Sequence, residues 1–158
     1  MNILVLCTGN SARSILLECI LSRLGGDTFA AFSAGSKPAG KVHPQSLSLL
    51  KAKGYDTSQL ASKSWDVFAG SDAPRMDVVI TVCGSAAGEA CPLWPGTPLR
   101  AHWGVEDPAN ATQAEAPAAF ETAYDILYRR AERFVDARLS GMDRAALQSH
   151  LNTCGAVK

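Results

Sequence analysis

The chain opens on Ile3-Leu4-Val5-Leu6, an unbroken apolar run that ends at Cys7 and a glycine-containing stretch. Such a run fits a strand covered on both faces, as in a parallel sheet, better than a strand with one wet face. Comparable runs occupy 28–34, ending at Gly35, and 77–82, and 98–102 is a shorter, weaker one. Helical spacing falls between them. Over 13–24, Ile15, Leu16, Cys19, Ile20 and Leu24 form one stripe that stops at Gly25-Gly26. Over 44–53, Pro44 stands in the first turn and Gly54 just past the end, the asymmetry expected of a helix of about three turns. A last long helix is predicted over 115–139 from Phe120, Tyr124, Leu127, Ala131 and Phe134. Alternating strands and helices predict a single α/β domain with a parallel sheet and right-handed crossovers. The domain is expected over 1–140, with 141–158 a polar tail that belongs to the same domain or packs loosely. Residues 108–119 read as a loop running into a helix.

Size and charge narrow the function. A domain of 158 residues buries a real core without disulfides or a structural metal. Lys plus Arg and Asp plus Glu both number 15, so no overall field draws nucleic acid or a membrane surface, and any anion must be caught by a local site. The run 3–7 is too short for a signal or spanning helix and Met1-Asn2 lacks a basic flank, so the expected address is the cytoplasm. Five cysteines are an odd set in a domain that needs no staples, which points to reduced thiols kept for chemistry.

The sharpest feature is Cys7-Thr8-Gly9-Asn10-Ser11-Ala12-Arg13-Ser14, between the first strand and the first helix. The backbone N–H groups from Thr8 through Gly9, Asn10, Ser11 and Ala12 to Arg13 can turn inward as a nest, and the helix start adds partial positive charge. Such a cradle fits a tetrahedral dianion. Arg13 can fork donors onto its oxygens, the same field is expected to depress the Cys7 pKa, and Ser14 can donate to the resulting thiolate. Asn10 suits a loop brace, since its side chain satisfies backbone groups and tolerates left-handed dihedrals.

This loop resembles the signature of the low-molecular-weight protein tyrosine phosphatase fold: Cys, five residues, Arg, then Ser or Thr. Ser33-Ala34-Gly35 and Val42-His43-Pro44 extend the resemblance, which covers about residues 2 to 139 in element order. It implies a four-stranded parallel sheet flanked by helices. Within that fold the block Val82-Cys83 to Cys91-Pro92, followed by His102-Trp103-Gly104-Val105-Glu106-Asp107-Pro108-Ala109, resembles the arsenate reductases that use three cysteines and thioredoxin. That resemblance implies arsenate as substrate, with phosphate or sulfate as analogues, in arsenic detoxification. Cys7 attacks, Asp107 protonates the departing oxygen, Cys83 attacks the Cys7 sulfur, and Cys91 carries the disulfide to an external dithiol. Thioredoxin is the donor implied, and glutaredoxin with glutathione is the other; no tightly bound cofactor is expected, and a monomer is. If 85–90 is helical, Cys83 and Cys91 stand roughly 12 Å apart, beyond the roughly 7 Å that a disulfide spans, so residues 84–95 are expected to change order on oxidation. Some relatives bind potassium near the loop. Asn10, Glu18 and Ser33 match that site, but Ser62 and Ser64 stand where Thr and Asp are expected, and no metal is assigned.

Other readings stay open. A low-molecular-weight protein tyrosine phosphatase needs the same loop and an acid but no second cysteine. A zinc or redox-sensing module on Cys83, Cys91 and His102 is the other class, although that spacing suits zinc poorly. Cys19 reads as core, Cys154 as an incidental thiol in the tail or an additional resolving thiol, His43 as a capping or packing residue, and His102 as structural or near the site. Asp107 fits either an acid or a helix cap.

Overall fold

The computed structural model describes residues 1–84, 94 and 96–158. Its strands are β1 Asn2–Cys7, β2 Ala30–Gly35, β3 Val78–Thr81 and β4 Leu99–His102. All pair in parallel, in the order β2-β1-β3-β4. The helices are α1 Arg13–Gly25, α2 Pro44–Ala52, α3 Ala116–Val135 and α4 Arg144–Gly155. No helix among the described residues is long and apolar enough to cross a membrane.

The continuous apolar run of β1 is covered on both sides, as its lack of alternation requires. Ile3 and Val5 enter a large cluster with Ile15, Leu16, Leu50, Phe120, Leu127, Phe134 and Leu151, which takes residues from each of α1 to α4. Leu4 and Leu6 enter a smaller one with Phe68, Met76, Val79 and Trp94 on the opposite face. The short 3-10 turn Trp65–Phe68 contributes to that second cover. β1 lies inside the sheet with β3 beside it, so the carboxyl ends of these two strands are neighbours, and both carry a cysteine there.

Element boundaries differ from expectation in three places. The chain makes a 3-10 turn at Gly26–Thr28, with Gly26 at φ 51°, so β2 begins only at Ala30. α3 stops at Val135, just after Phe134, the last residue of its apolar stripe, and Leu139–Gly141 forms a separate 3-10 turn. The expected polar tail is a helix. The Asp143 carboxylate caps α4 by accepting from the Ala146 N–H (2.8 Å), and Leu147, Leu151 and Cys154 sit one turn apart on the face that meets the core. Cys154 is fully buried beside the His150 ring, not a loose surface thiol, and burial pushes it up to about 11.

Candidate active site

Cys7 ends β1 and Arg13 starts α1; the connecting loop is held by its carbonyl oxygens. The N–H groups of Ser36, Lys37, Ala39 and His43 donate to the carbonyls of Cys7, Thr8, Gly9 and Ser11 (2.9 to 3.3 Å). Ser46 Oγ also donates to Ser11 O and Ser62 Oγ to Gly9 O, each at 2.9 Å. With so many carbonyls tied from outside, the loop's amide hydrogens are left over. Those of Thr8, Asn10, Ser11 and Ala12 donate to no acceptor among the described residues, the arrangement that makes an anion nest.

Asn10 braces this loop as its chemistry suggests. It is fully buried at φ 47°, donates from Nδ2 to Ser14 Oγ and Ser33 Oγ (2.9 Å each), and accepts from the Lys63 N–H at 2.9 Å. Gly35 permits the close approach: a Cβ there would lie 2.4 Å from Thr8 O and 3.1 Å from Asn10 N. Ser14 is a correction to the expected role. Its Oγ accepts from Asn10, and the hydrogen-bonding partners of Cys7 are the Cys83 thiol and the Gly9 N–H.

Cys83, 3% exposed, follows β3 closely; its sulfur lies 3.4 Å from Thr8 Oγ1 and acts on the ionisation of Cys7 beside it. This contact corrects the expectation of a depressed Cys7 pKa. The hydrogen bond to Cys83 and then burial push Cys7 above the ordinary thiol range; Arg13 and the Gly9 N–H pull the other way and are outweighed. Removing the neighbour as Cys83→Ser is therefore expected to move the alkylation–pH profile of Cys7 to lower pH. An unmoved profile would overturn that influence of Cys83.

Arg13 meets Asp107 across the site. Nη2 lies 3.1 Å from Asp107 Oδ2, Nη1 donates to Val105 O at 3.1 Å, and the buried Nε has no partner among the described residues. That last donor fits an oxyanion acceptor. Asp107 also accepts at Oδ1 from the Ala109 N–H, so it is at once a cap and a neighbour of the site. A cavity of about 550 Å³ opens beside it, lined by Val105, Glu106, Asp107, Pro108 and residues of α3.

The other sequence candidates separate cleanly. His102 is exposed and bonded to Thr81 Oγ1 (2.8 Å). His43 caps α2 through Nδ1 and packs on the Phe120 ring at 4.9 Å. Cys19 is core, pushed up to about 12 by burial. Cys91 lies outside the described residues, as does most of the segment expected to change order. Of the residues matched to the potassium site, Asn10, Ser33 and Glu18 are joined by hydrogen bonds, Asn10 Nδ2 donating to Ser33 Oγ and Ser33 Oγ to Glu18. Asn10 Oδ1 accepts from the Lys63 N–H, Ser62 Oγ donates to Gly9 O and Ser64 Oγ accepts from Asp66 N–H. Burial pushes Glu18 up, toward its neutral form. Among the described residues no group of three His, Cys, Asp or Glu is placed to hold a metal ion.

Sequence reasoning missed Thr8 beside Cys83, the Val105 carbonyl on Arg13, and the bracing by Ser46, Ser62 and Lys63. Only Ser62 had drawn notice, and for another role; such loop contacts leave no periodic trace.

Residues 2–146 match the family described as low molecular weight phosphotyrosine protein phosphatase. Arsenate reductases of Bacillus licheniformis and Bacillus subtilis are 36% and 35% identical over 133 residues, covering 83% of this chain and 92% of theirs. A solved arsenate reductase in its phosphate-binding state superposes with a TM-score of 0.70 at 27% identity, over 85% of this chain and 96% of that one. A tyrosine phosphatase from Erwinia amylovora shares the fold, with a TM-score of 0.66 at 19% identity over 85% of this chain and 91% of its own. The chain belongs to the low molecular weight phosphotyrosine protein phosphatase family, and its sequence groups with that family's arsenate reductases.

Proposed function

We propose that the chain reduces arsenate to arsenite, an arsenic-detoxifying activity, with Cys7 as nucleophile and Cys83 as the thiol that completes the electron transfer. The observation that carries this reading is the placement of the Cys83 thiol beside Cys7, at the neighbouring strand end and 3.4 Å from Thr8 Oγ1, at the mouth of an oxyanion loop. A phosphatase has no use for a second thiol at that position. One thiol cannot supply two electrons and still turn over; two adjacent ones can.

The amides of the loop and Arg13 hold the arsenate oxygens. The Cys7 sulfur gives up its thiol proton to an arsenate oxygen and bonds to arsenic as an As–OH group leaves as water with a proton from Asp107, which Arg13 orients at 3.1 Å. The Cys83 sulfur then attacks the Cys7 sulfur. The S–S bond forms, the S–As bond breaks, and its electron pair stays on arsenic, which passes from As(V) to As(III) and departs as arsenite. Cys91 attacks Cys83 and regenerates the Cys7 thiol, and an external protein dithiol of the thioredoxin or glutaredoxin class reduces the final disulfide.

Single-turnover exposure to arsenate without reductant is expected to consume two thiols per arsenite, with peptide mapping recovering Cys7–Cys83 or the transferred Cys83–Cys91 bridge. Arsenite formed with neither bridge, or no thiol loss at all, would count against the relay.

A further inference from the structure

One buried side chain, that of Arg130, links the loop that carries Asp107 to the Val157 carbonyl just after α4. Arg130 lies on α3 at a position where the helical pattern calls for an apolar residue, three after Leu127 and four before Phe134, both fully buried. It is itself only 7% exposed. Among the described residues no carboxylate lies within ion-pair distance of it. Its guanidinium instead donates to two main-chain carbonyls: Nε to Val157 O at 2.7 Å and Nη1 to Gly104 O at 3.1 Å. A buried charge is costly, and an apolar side chain of similar volume is often as stable or more so. A charge held there on two carbonyls therefore points to a demand of geometry.

Gly104 is one residue before Val105, and Val105 is fixed on both sides. Its N–H donates to Val82 O (3.2 Å), beside Cys83, and its carbonyl accepts from Arg13 Nη1. Two residues on, Asp107 meets Arg13 Nη2. On the other side of Gly104, the fully buried Trp103 donates from its indole N–H to Leu151 O (2.9 Å) on α4. Gly155 lies so close that a Cβ there would come within 2.6 Å of the Trp103 ring and 2.9 Å of His102 O. Residues 147–155 of α4 fall beyond the stretch that matches the family.

We propose that Arg130 is a positioning residue for the active site, joining the Val157 carbonyl after α4 to the Gly104 carbonyl and thereby setting where Asp107 meets Arg13. It touches neither substrate nor sulfur and acts through Asp107. The proposal rests on the reading of Asp107 as the proton donor.

A double-mutant cycle tests it. Arg130→Met is expected to lower kcat for arsenate roughly tenfold through displacement of the acid, with KM little changed. Asp107→Asn alone is expected to lower kcat about a hundredfold. In the Asp107→Asn background, Arg130→Met should cost almost nothing further, because the group it positions is already disabled. Arg130→Gln, which keeps a donor for one carbonyl, should lose less than Arg130→Met and carries the same comparison if the methionine variant does not fold. The cycle is run in parallel on an aryl phosphate, which calls on the same acid whichever oxyanion is the natural substrate. Equal fold-losses in the two backgrounds, or an Arg130→Met protein with undiminished kcat, would overturn the positioning role alone. An Asp107→Asn protein that turns over both substrates like the wild type would overturn the acid assignment and this proposal with it. Loss of the pattern on arsenate with its retention on the aryl phosphate would instead overturn the reductase reading and leave Arg130 in place.

Discussion

Cys83→Ser is expected to reduce steady-state arsenate turnover on the order of 10³-fold or more, while aryl phosphate hydrolysis stays within about threefold of the wild type. The asymmetry follows from electron counting. Transfer of a phosphoryl group to Cys7 and its hydrolysis involve no change of oxidation state, so the neighbouring sulfur is dispensable. Reduction stops at the arsenic–sulfur adduct unless a second sulfur attacks Cys7, and Cys83 is the thiol placed beside it at the neighbouring strand end. Serine keeps a polar contact for Thr8 Oγ1 but cannot form the disulfide. Arsenite production and aryl phosphate hydrolysis, measured on the same preparation, decide the matter. Equal loss of both would make Cys83 a structural member of the loop and not a relay thiol.

What the sequence made legible were features with a local cause. The loop from Cys7 to Ser14 is recognisable because its residues are consecutive and sit at a strand-to-helix junction. The covered strand β1 is recognisable because an unbroken apolar run leaves no wet face. Placement of Cys83 beside Cys7 followed from topology, since parallel strands bring their carboxyl ends to one edge. The ionisation of Cys7 was not legible. The local motif supplies only the lowering influences, Arg13 and the Gly9 N–H, whereas the raising ones come from Cys83, distant in sequence, and from burial. α4 was hidden for a different reason. Its apolar stripe is thin, Leu147, Leu151 and Cys154 among polar residues, and its stability comes from docking onto Trp103 and α3 rather than from propensity. Arg130 defeats pattern reading outright, because a charged residue on an apolar stripe reads as a break in the stripe until its two carbonyl partners are seen.

Arg13→Lys separates charge from geometry at the centre of the site and is expected to lower kcat/KM for arsenate by about 10²- to 10³-fold. The ammonium preserves a positive charge, so the influence that draws electron density onto the Cys7 sulfur is retained in direction. The planar fork is lost. In the wild type that fork reaches Val105 O and Asp107 Oδ2 at 3.1 Å each and still leaves Nε without a protein acceptor. A single ammonium cannot satisfy a carbonyl, a carboxylate and an arsenate oxygen in fixed relative positions. Stability should change little by comparison, because the Arg13–Asp107 pair is partly exposed, at 12% and 29% of the two side chains, and such pairs contribute roughly 0–1 kcal/mol. A kinetic loss without a matching fall in Tm is thus the expected signature. A lysine variant within a few-fold of wild-type kcat/KM would mean that charge alone suffices, and the orienting role given to the guanidinium would have to be abandoned.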